Sequence, residues 1–248
     1  MNGYIGLRLL PALLESGHRV TGLVRDKARF PISQFDAFLA DGRLELLEGD
    51  MLRPEGLPTL TKRFDTAFYL LHSMGAGKGF EQREEACSLN FAEWVRVCDL
   101  GRVIYLGGLV PAGELSEHLR SRENVNRVLR AGGIPVTTLR ASIIVGSGSA
   151  SFEIIRDLAE KLPVMLTPNW TLTRCQPIAI RNVIGYLTGC LQAESTVGGE
   201  FDIGGPQVLS YRNLLEIYAE KRRLKRLLIP VPFLTPGLSA HWLRLVTP

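Results

Sequence analysis

The sequence predicts an α/β protein, a doubly wound parallel sheet over residues 1–145 and a smaller C-terminal substrate lobe over residues 146–248 that is interleaved with the sheet and truncated at its end. Three observations predict it. Apolar strand-like runs and stretches of helical period alternate five times with short connections, the pattern of parallel crossover units. The chain opens on MNGYIG, in which Gly3 and Gly6 have the spacing of the last two glycines of a G-x-x-G-x-x-G turn leading into an apolar helix. Beyond Gly146, prolines at 163, 168, 177, 206, 230, 232 and 236 cut the chain into short elements, as in a lobe built over a sheet's carboxyl edge.

Taken in order, Ile5, Leu9, Leu10, Leu13 and Leu14 recur at helical spacing over Tyr4 to Ser16, with Pro11 as an expected kink and Gly17 as a left-handed stop. Arg19–Arg25 reads as a buried strand, Leu44–Glu48 as a second and Thr66–Leu71 as a third. Phe80–Leu100 reads as a long helix with Ala86, Leu89, Phe91, Trp94, Val95 and Cys98 turned inward and Gly101 ending it. A strand at Arg102–Leu109, a helix at Ser116–Ala131 and a strand at Val136–Arg140 follow. Further on, Ile180–Leu191 and Ser210–Arg222 read as helices, and Glu200–Ile203 and Leu227–Val231 as strands. The terminal LSAHWLRLVTP reads as the start of an element that continues past Pro248.

Composition narrows the partners. A net charge of +4 is spread among acids along the chain, which argues against nucleic acid. The basic run Lys221–Arg226 fits a helix C-terminus, where cations oppose the macrodipole. Cys87, Cys98, Cys175 and Cys190 have neither C-x-x-C nor His/Cys ligand spacing, so no metal site is expected and a reducing cytoplasm fits. No apolar run approaches the roughly 18 residues that span a bilayer. Gly75, Gly77, Lys78 and Gly79 imitate a phosphate loop, but position 79 lacks the Ser or Thr that would hold magnesium. That segment is expected to be a lid or substrate loop.

The glycine turn makes Gly3, Tyr4, Ile5 and Gly6 candidates for receiving a dinucleotide pyrophosphate on backbone N–H groups. Arg25 follows about twenty residues later, where this class of fold meets the ribose, and a guanidinium there suits a 2′-phosphate. NADP is therefore the expected cofactor, with NAD as the alternative because Asp26 is adjacent; Arg25 as a solvated strand-end charge stays open. Asp50 and the next N–H, that of Met51, suit an adenine edge or else a polar turn. Leu71 ends the third strand beside the cofactor.

NGYIG, LVRD, EGDML, Asn90 in its helix, LRAS before IIVG, QPIAIRNV, and DIGGP ahead of LSY together resemble the atypical, extended short-chain dehydrogenase/reductases, the NAD-dependent epimerase/dehydratase-like group. The resemblance spans nearly the whole chain and implies a Rossmann-type fold with strand order 3-2-1-4-5-6. Its first glycine and first, central strand would precede Met1. The expectation is that the natural start lies upstream, or that the isolated chain folds poorly. The group's Tyr-x-x-x-Lys pair falls on His118 and Arg122, and the strand-end hydroxyl falls on Gly107, Gly108 and Leu109. His118 as acid or base with Arg122 orienting an anion is one reading; two residues on a solvated helix face is the other. Two functions follow: hydride transfer to a small or lipid-like substrate, or a non-catalytic NADP-binding or assembly role with a protein partner.

Overall fold

The computed structural model describes residues 1–72, 79–110 and 116–231. In chain order the elements are α1 (Gly6–Glu15), β1 (Val20–Val24), α2 (Asp36–Ala40), β2 (Leu44–Glu48), β3 (Phe64–Tyr69), α3 (Phe80–Arg96), β4 (Leu100–Gly108), α4 (Glu117–Ala131), β5 (Val136–Ala141) and β6 (Ile144–Val145). They continue as α5 (Ala150–Lys161), β7 (Val164–Pro168), β8 (Arg174–Cys175), β9 (Ile178–Ala179), α6 (Ile180–Gln192), β10 (Glu200–Ile203), β11 (Leu209–Ser210), α7 (Tyr211–Lys221) and β12 (Leu227–Val231).

The chain forms two compact units. The first comprises Met1–Ala141 and Arg181–Ile203, the second Ser142–Ile180 and the chain from Gly204 on. Arg181–Ile203, which the sequence groups with the C-terminal part, is thus counted with the first unit.

Unit 1 holds the parallel sheet. β10-β5-β4-β3 form four hydrogen-bonded strands and β1-β2 a separate pair, every pairing parallel. Among the described residues no strand bonds the second edge of β1 or of β3. Helices cover both faces of β4, as its alternation requires. Val103 and Tyr105 join Phe91 and Val95 of α3 and Val125 and Leu129 of α4 in one buried cluster. On the opposite face Arg102 donates to the Leu191 carbonyl of α6 at 2.7 Å. A second cluster, Leu10 and Leu14 of α1 with Val24, Phe30, Phe35 and Leu44, packs α1 on the β1-β2 pair. Unit 2 is built on α5 and α7, whose Ile155, Leu158 and Leu215 share a core with Met165 of β7.

Several ends differ from expectation. β3 starts and stops two residues before the expected Thr66–Leu71, because its pairing with β4 runs from Phe64 on Leu100 to Tyr69 on Tyr105. Gly101 does not stop α3, which is capped at Val97; it lies in β4, where a Cβ would come within 2.7 Å of the Asp65 carbonyl oxygen. Leu89 is 52% exposed, and the inward stripe of α3 runs instead through Glu84, Cys87, Ser88, Phe91 and Val95. The helix α5 was unpredicted, although Ser149 caps it by accepting from the Phe152 N–H. The basic run serves two helices: Lys221 closes α7, while Arg226 donates to the Ala159 and Glu160 carbonyls at the end of α5. The glycine-rich loop at 73–78 and LSAHWLRLVTP lie outside the described residues.

Met1 packs into this framework through its amine, which donates to the Leu23 carbonyl of β1 at 2.6 Å. Burial, then the Arg25 charge, lowers the amine's pKa from 8.0 to about 6. Between those values the unfolded chain binds the extra proton, so stability rises with pH. The amine's contribution to the stability of the 248-residue chain should be full above pH 8 and fall by roughly 2–3 kcal/mol as pH drops to about 6. Urea midpoints at pH 8.5 and 5.5 check this, and N-terminal acetylation should remove that part of the difference.

Candidate active site

The glycine turn and α1 form the first part of the site. Ile5 is the N-cap of α1, and the turn is held by Leu7 N–H on the Gly3 carbonyl at 3.0 Å. The first turn contains no acidic residue, so nothing in it competes for the partial positive charge of the helix start. The two glycines differ in role. Gly6 is buried, and a Cβ on it would lie 2.0 Å from the Met1 carbonyl oxygen, whereas a Cβ on Gly3 would meet nothing within 4 Å. Tyr4 carries the Arg8 guanidinium over its ring at 3.9 Å, and its buried hydroxyl has no hydrogen-bond partner among the described residues.

At the carboxyl ends of β1 and β2 stand the other expected cofactor residues. Arg25 is exposed. Its neighbour Asp26 is committed elsewhere: it accepts from the Ala28 N–H at 2.9 Å and pairs with Arg29 at 3.4 Å. Asp50 makes a polar turn, accepting from the Leu52 N–H at 3.0 Å. The Met51 side chain is core, 4% exposed, and its carbonyl accepts from the Asn90 amide of α3 at 2.6 Å. Asn90 therefore ties α3 to this turn. Leu71 is exposed and offers its carbonyl to Arg122 at 3.5 Å.

His118 and Arg122 do not share a solvated face. His118, Ser121 and Arg122 follow i, i+3, i+4 spacing on α4, and Ser121 and Arg122 are buried at 4% and 9% exposure. Tyr105 of β4 donates to the Arg122 carbonyl at 3.1 Å, fixing this turn of α4 from below. Gly108 at the strand end faces α4, where a Cβ would lie 3.2 Å from Leu119 Cδ2 and 3.8 Å from Arg122 Cγ. A side chain there would need Leu119 to give by a few tenths of an ångström.

Sequence reasoning missed the centre of the cluster. Glu84 of α3, 3% exposed, accepts from the Ser121 hydroxyl at 2.6 Å through Oε2 and meets His72 Nδ1 at 2.8 Å through Oε1. The His72 ring lies 5.1 Å from that of His118, which also meets Phe80 at 6.0 Å. One signal was available: Glu84 stands on the same helical stripe as Cys87, Phe91 and Val95, and an acid on an apolar stripe needs partners. Burial lowers the His118 pKa, and the Arg122 charge and His72 lower it further. Burial also raises the pKa of the Tyr69 and Tyr105 phenols, and both rings are almost wholly buried, so neither is placed to stand in for the tyrosine of the Tyr-x-x-x-Lys pair.

A parallel sheet with helices on both faces, a glycine turn opening its first helix, and titratable side chains gathered at its carboxyl edge define a Rossmann-type α/β protein. The chain belongs to the NAD dependent epimerase/dehydratase family, whose model matches residues 1–127, just over half of the 248 residues. The fold is similar to that of triphenylmethane reductase from Citrobacter sp., with a TM-score of 0.75 and 17% identity over 99% of this chain and 81% of that one. It is also similar to UDP-glucuronic acid 4-epimerase from Bacillus cereus, with a TM-score of 0.70 and 15% identity over 93% and 83%. The dTDP-glucose 4,6-dehydratase DesIV from Streptomyces venezuelae, in a double-mutant form, gives 0.72 and 16% over 92% and 82%. No curated protein sequence matches the chain. Among the described residues no helix is long and apolar enough to cross a membrane, and no group of His, Cys, Asp and Glu is arranged to hold a metal ion.

Proposed function

We propose that this protein binds NADP at the glycine turn and exchanges a hydride with a small or lipid-like substrate at the carboxyl ends of β3 and β4. The observation that carries this reading is the cluster in which the buried Glu84, Ser121 and Arg122 meet the more exposed His72 beside His118. Burying that many polar groups is costly, and perturbed titratable groups at a strand's carboxyl end mark functional sites. The family supports the cofactor class, as do the complexes of the Citrobacter reductase with NADP(H) and the Bacillus epimerase with NAD.

The chain's residues fit such a cofactor. The backbone N–H groups of Gly3, Tyr4, Ile5 and Gly6 suit the pyrophosphate, the unpartnered Tyr4 hydroxyl leaves a polar group for a ligand, and Asp50 with Met51 suits the adenine. The exposed Arg25 favours a 2′-phosphate because Asp26 is already engaged. When bound, the nicotinamide supplies or removes the hydride. Arg122 contributes a fixed cation and His118 a neutral imidazole that hydrogen-bonds a substrate oxygen. The four cysteines are free, which accords with a reducing cytoplasm.

A second reading, a non-catalytic NADP-binding or assembly protein, is favoured by His118 and Arg122 standing in place of a Tyr-Lys pair and by glycine at the strand end. Fluorescence titration decides the cofactor: Arg25→Ala should weaken NADPH about tenfold, roughly 1.4 kcal/mol, and leave NADH nearly unchanged. NADPH oxidation with aldehydes or quinones supports the enzyme. Tight NADPH binding with no turnover and a co-purifying protein supports the second reading.

A further inference from the structure

On the hydride-transfer reading above, we propose that His72 is the residue that exchanges the proton with substrate, and that Glu84 and Ser121 are its positioning residues. A carbonyl reduced at carbon needs one proton at oxygen. The resemblance to tyrosine-dependent relatives points to His118 for this, but the geometry points to His72.

His118 is poorly equipped to deliver a proton. Burial, then the Arg122 cation and the His72 ring, favour its neutral form, and the Glu84 carboxylate opposes them only in part. Its ring contacts among the described residues are the imidazole of His72 and the phenyl of Phe80. Glu84 meets the ring of His72 directly, at hydrogen-bond distance of 2.8 Å. With Glu84 as acceptor, Nδ1 carries the hydrogen in the neutral ring and Nε2 becomes the basic atom. The same carboxylate fixes the orientation of the ring, as in other carboxylate–histidine pairs. Glu84 cannot swing away, because Ser121 Oγ donates to its other oxygen at 2.6 Å from the neighbouring helix. The backbone beside His72 is held as well, since Arg122 donates to the Leu71 carbonyl. Among the described residues, the charged and titratable groups around the pair include His118 and Arg122 on α4, with Tyr69 on β3, Tyr105 on β4 and Cys87 on α3 deeper in the core.

The step balances simply. In reduction the Nε2–H bond of His72 breaks and an O–H bond forms on the former carbonyl, the electron pair remaining on Nε2. The ring returns to its neutral form with Nδ1–H on Glu84. The hydride comes from the reduced nicotinamide dinucleotide, and the His72 ring, 25% exposed at its side chain, is reprotonated from water. Oxidation of an alcohol runs the same transfers backward.

The test uses the full chain with NADPH and two probes, menadione and 4-nitrobenzaldehyde. His72→Gln should lower kcat at least 100-fold while NADPH affinity, read by fluorescence, stays within twofold; His118→Gln should lower kcat less than tenfold. Glu84→Gln, which keeps an acceptor oxygen but removes the charge, should lower kcat about tenfold without moving NADPH affinity. Long-range proton–nitrogen NMR at alkaline pH should find His72 as the Nδ1–H tautomer. Turnover that survives His72→Gln, or an Nε2–H tautomer at His72, overturns the assignment and leaves hydride transfer standing. No turnover by the unaltered chain on either probe removes the hydride reading and the proton role with it.

Discussion

Gly6→Val is expected to abolish dinucleotide binding, weakening NADPH at least 100-fold, or about 2.7 kcal/mol, and to lower the melting temperature as well. The reason is steric. A Cβ at Gly6 would lie 2.0 Å from the Met1 carbonyl oxygen, far inside contact distance, and the obstacle is backbone. The turn and the start of α1 must therefore separate from Met1, whose amine is itself tied to the Leu23 carbonyl of β1. That movement displaces the N–H groups that would receive the pyrophosphate. Gly3→Ala is the control: nothing stands within 4 Å of its Cβ, so the melting temperature should stay within about 1 °C. Equal loss of thermal stability in both variants would refute the assignment of separate roles to the two glycines.

The second large effect is expected at Glu84. Glu84→Ala removes the acceptor shared by the His72 ring and the Ser121 hydroxyl and empties space in a site that is 3% exposed. A buried hydroxyl left without a partner costs roughly 1–3 kcal/mol, and the vacated volume adds to it. A total of about 3 kcal/mol should lower the melting temperature by roughly 6–12 °C in a protein of this size. Differential scanning calorimetry measures it. Ser121→Ala, which removes one donor but leaves the His72 contact, should cost about 1 kcal/mol. A Glu84→Ala protein that melts with the unaltered chain would show that the cluster contributes nothing to the fold.

The sequence itself determined the local part of this protein. Helix and strand periodicities located most of the elements, and strands such as Leu44–Glu48 and Glu200–Ile203 match their predicted ends. Gly17 takes the left-handed conformation that closes α1, as a glycine after a helical run does. These features rest on interactions within a few residues, so a linear reading reaches them. It does not reach features that depend on which side chains packing brings together. His72 and Glu84 stand 12 residues apart, Ser121 and Glu84 37 apart, and Arg122 and Leu71 51 apart. Only the packing of α3 on α4 beside the ends of β3 and β4 decides that these groups meet. The same holds for the glycine turn: spacing made Gly3 and Gly6 equivalent, and the approach of Met1 to one of them makes only Gly6 sterically obligatory. The tertiary structure also buries Arg122, which the sequence leaves open to a solvated face, where α4 packs beside the Gly108 end of β4. Sequence determined where helices and strands form; the tertiary structure decided which polar groups they bury together, because burial and hydrogen-bond partners are properties of packed neighbours rather than of residue order.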